Sequence, residues 1–341
     1  MKYSSRFFLY APLALFLALA VGAGVVWWRA ADALSARLDA LNGHDAMPGV
    51  TLRFSSKSIG GFPFNLDVVF QDFSVTVATP HGPSAWHTDK FALHALTYGR
   101  EQMIFEAAGH QSLIWTDLKG GAHALPFEAG ELHASSIEGE HGLTRFDLDC
   151  IGFGSPALTA ARVQLHARVA PGEKAVDLFV TADGTHLSPP LASLFGADVT
   201  RVRLNASALP SSPFNGLRNG RTDWVSAAET WRKAGGAIRV DDLEIAWHQM
   251  SVMGKGVLAL DGAHTVQGAL DFRVAGMQTL LDMVARRHVR GGENAGLAAA
   301  LLDRAAKAGN NEAGMLGAVV GFHGGVVSVG DESATTEEVL Y

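Results

Sequence analysis

The sequence predicts a mainly β fold with a few helices (α+β). It comprises a long antiparallel sheet, either one curved sheet or two packed sheets, preceded by one N-terminal transmembrane helix. Three observations predict it. Near the N-terminus lies an uncharged run, Phe7–Trp28, long enough to cross a bilayer. Beyond Pro48 the apolar residues recur with a period of two. The alternating runs are separated by clusters of Gly, Pro, Asp and Ser, and few helical stretches intervene, which favours a meander over crossovers.

The run Phe7–Trp28 contains no Asp, Glu, Lys, Arg, His, Asn or Gln. As a helix it would extend about 33 Å, against a hydrocarbon core of about 30 Å. Pro12 falls near its start, where a membrane helix tolerates it. Tyr10 lies near one end and Trp27-Trp28 at the other, where amphipathic rings prefer the headgroup level. Lys2 and Arg6 precede the run, whereas Arg29, offset by Asp32, follows it. The positive-inside rule then places the N-terminus in the cytoplasm of a bacterium, the anchor in the inner membrane as a single pass, and the bulk of the chain in the periplasm. The competing reading is a cleaved signal peptide. Ala18-Leu19-Ala20 offers a small-x-small site, but the apolar core runs well past Ala20, which favours a retained anchor. No cysteine follows the run closely, which excludes lipoprotein processing. Leu34, Leu38 and Leu41 continue at helical spacing, and Asn42-Gly43 would stop the helix. The organisation is therefore a cytoplasmic N-terminus (1–6), an anchor (7–28), a helical extension and linker (29–45), a periplasmic β-rich domain (46–330) with a sub-boundary near 186–198, and an acidic tail (331–341).

The strands follow from their alternation. Phe146, Leu148 and Cys150 alternate with Arg145, Asp147 and Asp149. Val163, Leu165, Ala167 and Val169 oppose Arg162, Gln164, His166 and Arg168, and Val202, Leu204 and Ala206 oppose Arg201, Arg203 and Asn205. Val266, Leu270, Phe272 and Val274 repeat the scheme. Each run has one dry and one wet face, as in antiparallel sheets. Three helices interrupt them. Asp223–Lys233 carries Trp224, Ala227, Ala228 and Trp231 on one face, with Thr222 or Asp223 as N-cap and Gly235-Gly236 at its end. Met277–Arg287 ends in the basic Arg286, Arg287 and His288, and Leu297–Lys307 is joined to it by a loop around Gly291-Gly292.

Composition excludes several classes. With 341 residues, 48% hydrophobic and 18% charged, the chain is neither disordered nor in need of a metal to fold. A net charge of −7 with no basic run argues against nucleic acid. The single Cys150 excludes an intramolecular disulfide and any Cys-based zinc cluster. The 14 histidines include no HExxH, and surface histidines on wet strand faces account for them. Gly152-Phe153-Gly154 has dinucleotide-loop spacing, yet Pro156 leads into another strand rather than a helix. Gly254-Lys255-Gly256 reads as a turn or bulge between strands, because Gln249 stands where a Walker glycine belongs. There is no G-x-S-x-G elbow. Asp147 and Asp149 share the wet face of a strand, and Cys150 the dry one. No catalytic, cofactor or metal residue is expected.

Two stretches carry more information. In Ser58-Ile59-Gly60-Gly61-Phe62-Pro63-Phe64-Asn65-Leu66, the glycines Gly60 and Gly61 allow a sharp strand bend, and Pro63 suits an edge or bulge. Phe62 and Phe64 would point to one side of the sheet in a row continued by Leu66 and Val68, as a core corner or an apolar groove. The second runs from Trp231-Arg232-Lys233-Ala234-Gly235-Gly236 through Leu243-Glu244-Ile245-Ala246-Trp247 to Gly254-Lys255-Gly256-Val257-Leu258-Ala259-Leu260-Asp261, Gly268-Ala269-Leu270 and Leu280-Leu281-Asp282. In it Trp231 and Trp247, with Trp224 upstream, are candidates for helix–sheet packing. Together with an anchor ending in Trp, these motifs resemble an uncharacterised alphaproteobacterial envelope family, Domain of Unknown Function 2125. The acidic tail departs from that family's short apolar, Pro-containing end. More distantly, one anchor plus a long sheet is similar to the AsmA-like envelope proteins, and this resemblance implies handling of lipid in the periplasm.

The expected function is therefore non-catalytic: a protein anchored to the bilayer through Phe7–Trp28 that binds or helps transfer lipid. The alternatives are an envelope scaffold that docks other proteins, and an enzyme whose groups are gathered from distant strands.

Overall fold

The computed structural model describes residues 5–96, 101–117, 120–172, 174–189, 192, 197–247, 250–276, 315–329 and 332–335. The proposed helices Met277–Arg287 and Leu297–Lys307 lie outside the described residues. Helix α1 runs from Ser5 to Leu41 without a break, so the apolar run and its extension form one rod. Among the described residues, 18 strands form a single antiparallel sheet. Its first part comprises β1 (Asp45–Met47), β2 (Val50–Arg53), β3 (Ser56–Gly60), β4 (Asn65–Thr79), β5 (Gly82–Leu96), β6 (Gln102–Thr116), β7 (Ala122–Phe127), β8 (Glu131–Gly139) and β9 (Gly142–Gly154). The second part comprises β10 (Leu158–Val169), β11 (Val176–Leu187), β12 (Asp198–Leu209), β13 (Ala237–Trp247), β14 (Met250–Leu260), β15 (Val266–Ala275), β16 (Met315–His323), β17 (Val326–Val329) and β18 (Glu332–Thr335). Of the two architectures open from sequence, the sheet is the undivided one. Strand β11 pairs directly with β12, His186 opposite Asp198. Part of the acidic tail also joins it, Glu332–Thr335 pairing with β17.

Each strand pairs with the next in sequence, except that β2 and β3 lie end to end along β4, and β7 and β8 along β6. Because the side-chain period is two, this register decides what the faces look like. One row of directly opposed residues runs from Phe70 through Phe91, Ala107, Leu132, Cys150, Val163, Ala182, Val202, Ile245 and Val252 to Val274. The next passes through Val68, Leu93, Phe105, Ala134, Leu148, Leu165, Val180, Leu204 and Leu243 to Gly254 and Phe272. Neither contains a charged residue. At about 4.8 Å per strand, each apolar row is about 48 Å long along the sheet surface. The opposite face carries rows such as Asp149, Gln164, Thr181, Arg203 and Glu244.

Gly254-Lys255-Gly256 lies inside β14 rather than between strands. A Cβ on Gly256 would run into the Ala269 carbonyl of β15, so the ladder closes there only around glycine.

Helix α1 covers the dry face at one end. Along its second half a stripe of Gly24, Trp27, Ala31, Leu34, Leu38 and Leu41 is shielded, with Ala30 and Ser35 partly shielded beside it, while the remaining positions face outward. Leu34 and Leu38 pack on a core of Val68, Phe70 and Phe73. Phe73 stacks on Phe91 with ring centroids 4.4 Å apart, and Phe54 and Phe70 extend the aromatic group. Asn42 ends the helix with its side chain, donating to the Phe54 carbonyl and accepting from the Phe54 amide, each at 3.1 Å.

Between β12 and β13 the chain forms a helical insert: a 3-10 turn (Ser212–Phe214), α2 (Asn215–Arg218) and α3 (Trp224–Lys233). Asp223 is the N-cap of α3, its carboxylate accepting from the Ser226 amide at 2.8 Å and the Ser226 hydroxyl at 2.7 Å. These bonds, the amide first, hold the Asp223 carboxyl below its usual range. Asp223→Ala is expected to cost about 1 kcal/mol, read as a shift in a denaturant midpoint, with Asp223→Asn recovering most of it. The insert also ties distant strands together. Arg218 Nε donates to the Leu143 carbonyl at 2.7 Å at the start of β9. A Cβ on Gly142 would collide with the Arg218 carbonyl, and its φ of +93° suits glycine. Asp223 and Gly220 lie against Gly49 and Met47 of the β1–β2 turn. The sheet has thus coiled far enough for its first hairpin and its ninth strand to share one partner.

Candidate functional site: an apolar trough

Among the described residues, α1 covers the dry face of the coiled sheet at one end only, and beyond it the face encloses space unless its side chains are large enough to fill it. Here they are not. A cavity of about 950 Å³ lies over the dry face from β5 to β13. Its wall carries seven aromatics, Trp86, Phe91, Phe105, Phe127, Phe146, Phe153 and Trp247, interleaved with the small Ala107, Ala134, Ala160 and Ala182. Cys150 lies on its floor, and Trp247 closes the β13 side. Glu106 is the one charged residue on the wall, but its carboxylate belongs to the wet face, facing His133 Nδ1 at 3.6 Å and His94 Nε2 at 3.8 Å. Burial pushes the Cys150 thiol up, which favours the inert protonated form. Trp86 and Phe91 belong both to this wall and to the contacts of the core under α1, so the trough begins where the helix's cover ends.

Among the described residues, two buried side chains on this dry side keep a polar atom without a partner. Gln111 is 2% exposed, and its Oε1 accepts from Trp86 Nε1 at 3.0 Å while Nε2 has no partner among the described residues. The Thr185 hydroxyl, on the trough wall, is likewise buried without one. Buried polar groups of this kind are uncommon.

The residues singled out from sequence divide. Gly60 is the last residue of β3, opposite Asp67, and Gly61, Phe62, Pro63 and Phe64 form the turn joining β3 to β4 rather than a bend within a strand. Phe62 and Phe64 are exposed and do not continue the row of Leu66 and Val68, because β4 begins only at Asn65. None of these residues lines the trough. Trp231 is buried, its Nε1 donating to the Leu209 carbonyl at the end of β12 at 3.1 Å. Trp224 is half exposed and stacks on Phe214 within the insert. Trp247 lines the trough.

On the wet face the acids and bases satisfy one another. Asp149 takes a two-pronged bond from Arg162, Nε at 2.7 Å and Nη2 at 2.6 Å, and this bond holds its carboxyl below the usual range. Burial acts to raise Asp147, but His166 Nδ1 at 2.7 Å and Arg145 Nε at 2.6 Å outweigh it and the net shift is downward. A depressed folded-state pKa stabilises the fold above the unfolded value, about pH 4, and that contribution is lost as pH falls through the folded value. Asp149→Asn should therefore flatten the loss of thermal stability below about pH 4 while leaving the slope near neutrality unchanged. A second cavity of about 640 Å³ on this face is lined by Arg145, Asp147, His166, Arg168 and Asp177, charges already paired with one another. Among the described residues no group of three or more His, Cys, Asp or Glu could hold a metal.

A family model described as an uncharacterised protein conserved in bacteria, DUF2125, matches residues 27–331. The chain belongs to this family. The DUF2125 match opens at Trp27, where α1 first meets the sheet, and extends through β17. It therefore spans the whole trough, whereas most of the uncharged run precedes it. No curated protein and no solved structure matches the chain, AsmA-like proteins included.

Proposed function

We propose that this chain is an inner-membrane-anchored, periplasmic, non-catalytic protein that holds lipid acyl chains in the trough and helps move them through the envelope. The trough carries the reading: a cavity of about 950 Å³ whose wall is apolar over successive strands and begins beside the anchoring helix. That volume is at the upper end for ligand sites, about 300–1,000 Å³. An acyl chain of about 16 carbons gains about 0.8 kcal/mol per buried methylene, on the order of 12 kcal/mol before ordering costs, with no polar chemistry. The free Gln111 amide hydrogens and the Thr185 hydroxyl offer donors to the ester carbonyls of a glycerolipid. The anchor reading is supported by a helix long and apolar enough to span, none of whose apolar window is buried by protein. The charge bias around it supports a periplasmic sheet.

The test is native mass spectrometry of the full-length protein extracted in detergent, combined with lipid extraction. Phospholipid adducts on the intact chain are the expected result. A chain that remains lipid-free after extraction in several detergents overturns the reading, and a stable crosslinked protein partner in that case would favour the scaffold alternative.

A further inference from the structure

Phe62 and Phe64 stand on the β3–β4 turn with 60% and 67% of their surface exposed, an unusual place for two phenylalanines in water. The turn is nevertheless held firmly, and what holds it is α1. The Phe62 ring meets Trp27 edge-on, with centroids 5.5 Å apart and planes at 90°. Its edge also lies against Gly24, where a Cβ would come within 3.8 Å of the ring. Trp27 Nε1 donates to the Asn65 carbonyl at 2.7 Å, fixing the start of β4 to the same helix turn. Gly24 precedes Trp28, the last residue of the uncharged run, by four positions, or about 6 Å along the helix axis. From Pro12 to Ala23 the helix is exposed throughout. The turn therefore joins α1 at the depth where its apolar run gives out, beside the exposed Trp28.

We propose that the Phe62-Pro63-Phe64 turn enters the interfacial layer of the bilayer that α1 crosses, with its two rings among the headgroups and upper acyl carbons. This inference rests on the anchor reading given above. The occupant is a lipid surface because the turn adjoins the apolar run itself and carries rings that partition to that depth, where apolar side chains bury about 5–10 Å. A single helix would let the sheet swivel about its axis. Helix and turn together make two attachments, which set the tilt of β3–β5 and bring the α1-covered end of the trough down to the membrane surface.

The test uses the full-length chain in phosphatidylcholine vesicles, with the photoreactive p-benzoylphenylalanine placed singly at Leu15, Phe64 or Val257. Leu15 lies in the uncharged run, and Val257 is an exposed apolar residue on the wet face of β14. The replacement at Phe64 is aromatic for aromatic, so folding is retained, and Phe62→p-benzoylphenylalanine provides a second reading of the same turn. After irradiation, a mass increase of one phospholipid is expected at Phe64 and Leu15 and none at Val257. An adduct at Leu15 with none at Phe64 or Phe62 overturns this proposal and leaves the anchor standing. Absence at all positions overturns both.

Discussion

Tryptophan placed at Ala134 and Ala182 together is expected to lower retained lipid about tenfold or more. Both alanines are on the trough wall, in the adjacent dry rows on β8 and β11. Each indole would project into space that an acyl chain would use. Excluding about two methylenes from the wall removes about 1.6 kcal/mol, and about 1.4 kcal/mol is a tenfold change in affinity. The matched control is Ile151→Trp, next to the Cys150 floor but 41% exposed on the opposite face. Lipid per protein by extraction should fall for the double variant and hold for the control, with both melting as the parent does. Unchanged lipid content in a folded double variant would place the bound lipid elsewhere.

Phe73→Ala should be the most damaging single truncation in the sheet. Phe73 is 4% exposed and stacks on Phe91 at 4.4 Å, with Phe70 at 5.2 Å and Trp86 at 6.3 Å. Removing a buried phenyl ring costs about 3–5 kcal/mol, and this one supports Trp86 and Phe91, which belong both to the helix-covered core and to the trough wall. A fall in Tm on the order of 10 °C follows. Phe64→Ala, by contrast, removes an exposed ring and should leave thermal stability in detergent near that of the parent. A small shift for Phe73→Ala would mean that α1 and the first strands are not joined through this cluster.

Much of the architecture could be read from alternation alone. Phe146, Leu148 and Cys150, or Val163, Leu165 and Ala167, declare their dry faces without reference to any partner. The cap at Asp223 was equally local, because a cap and the amide it accepts from are three residues apart. What alternation cannot show is how one strand's dry face aligns with the next, and the trough exists only through that alignment. Its one visible sign was overlooked: several dry positions are alanine, among them Ala134, Ala160 and Ala182, too small to fill a layer by themselves. Extending the period of two back through Phe62 and Phe64 failed because a turn, not a strand, carries them. The segment Gly254-Lys255-Gly256 is inside a strand, opposite a register shift of β13 between Val240 and Leu243, and the reason for glycine at 256 is a carbonyl on the other neighbouring strand, remote in sequence.

The one-after-the-next pairing of β8 to β18 also has a consequence for growth. Such a sheet behaves like a repeat array, in which each unit leans on its immediate predecessor. It can be laid down from the anchored end outward as the chain emerges, every new strand finding its template already in place. A hairpin gained or lost at an exposed turn would change the length of the sheet by about 10 Å and leave the strands on either side pairing as before. The reach of the sheet away from α1 is in this sense an adjustable length, set by how many hairpins the gene encodes.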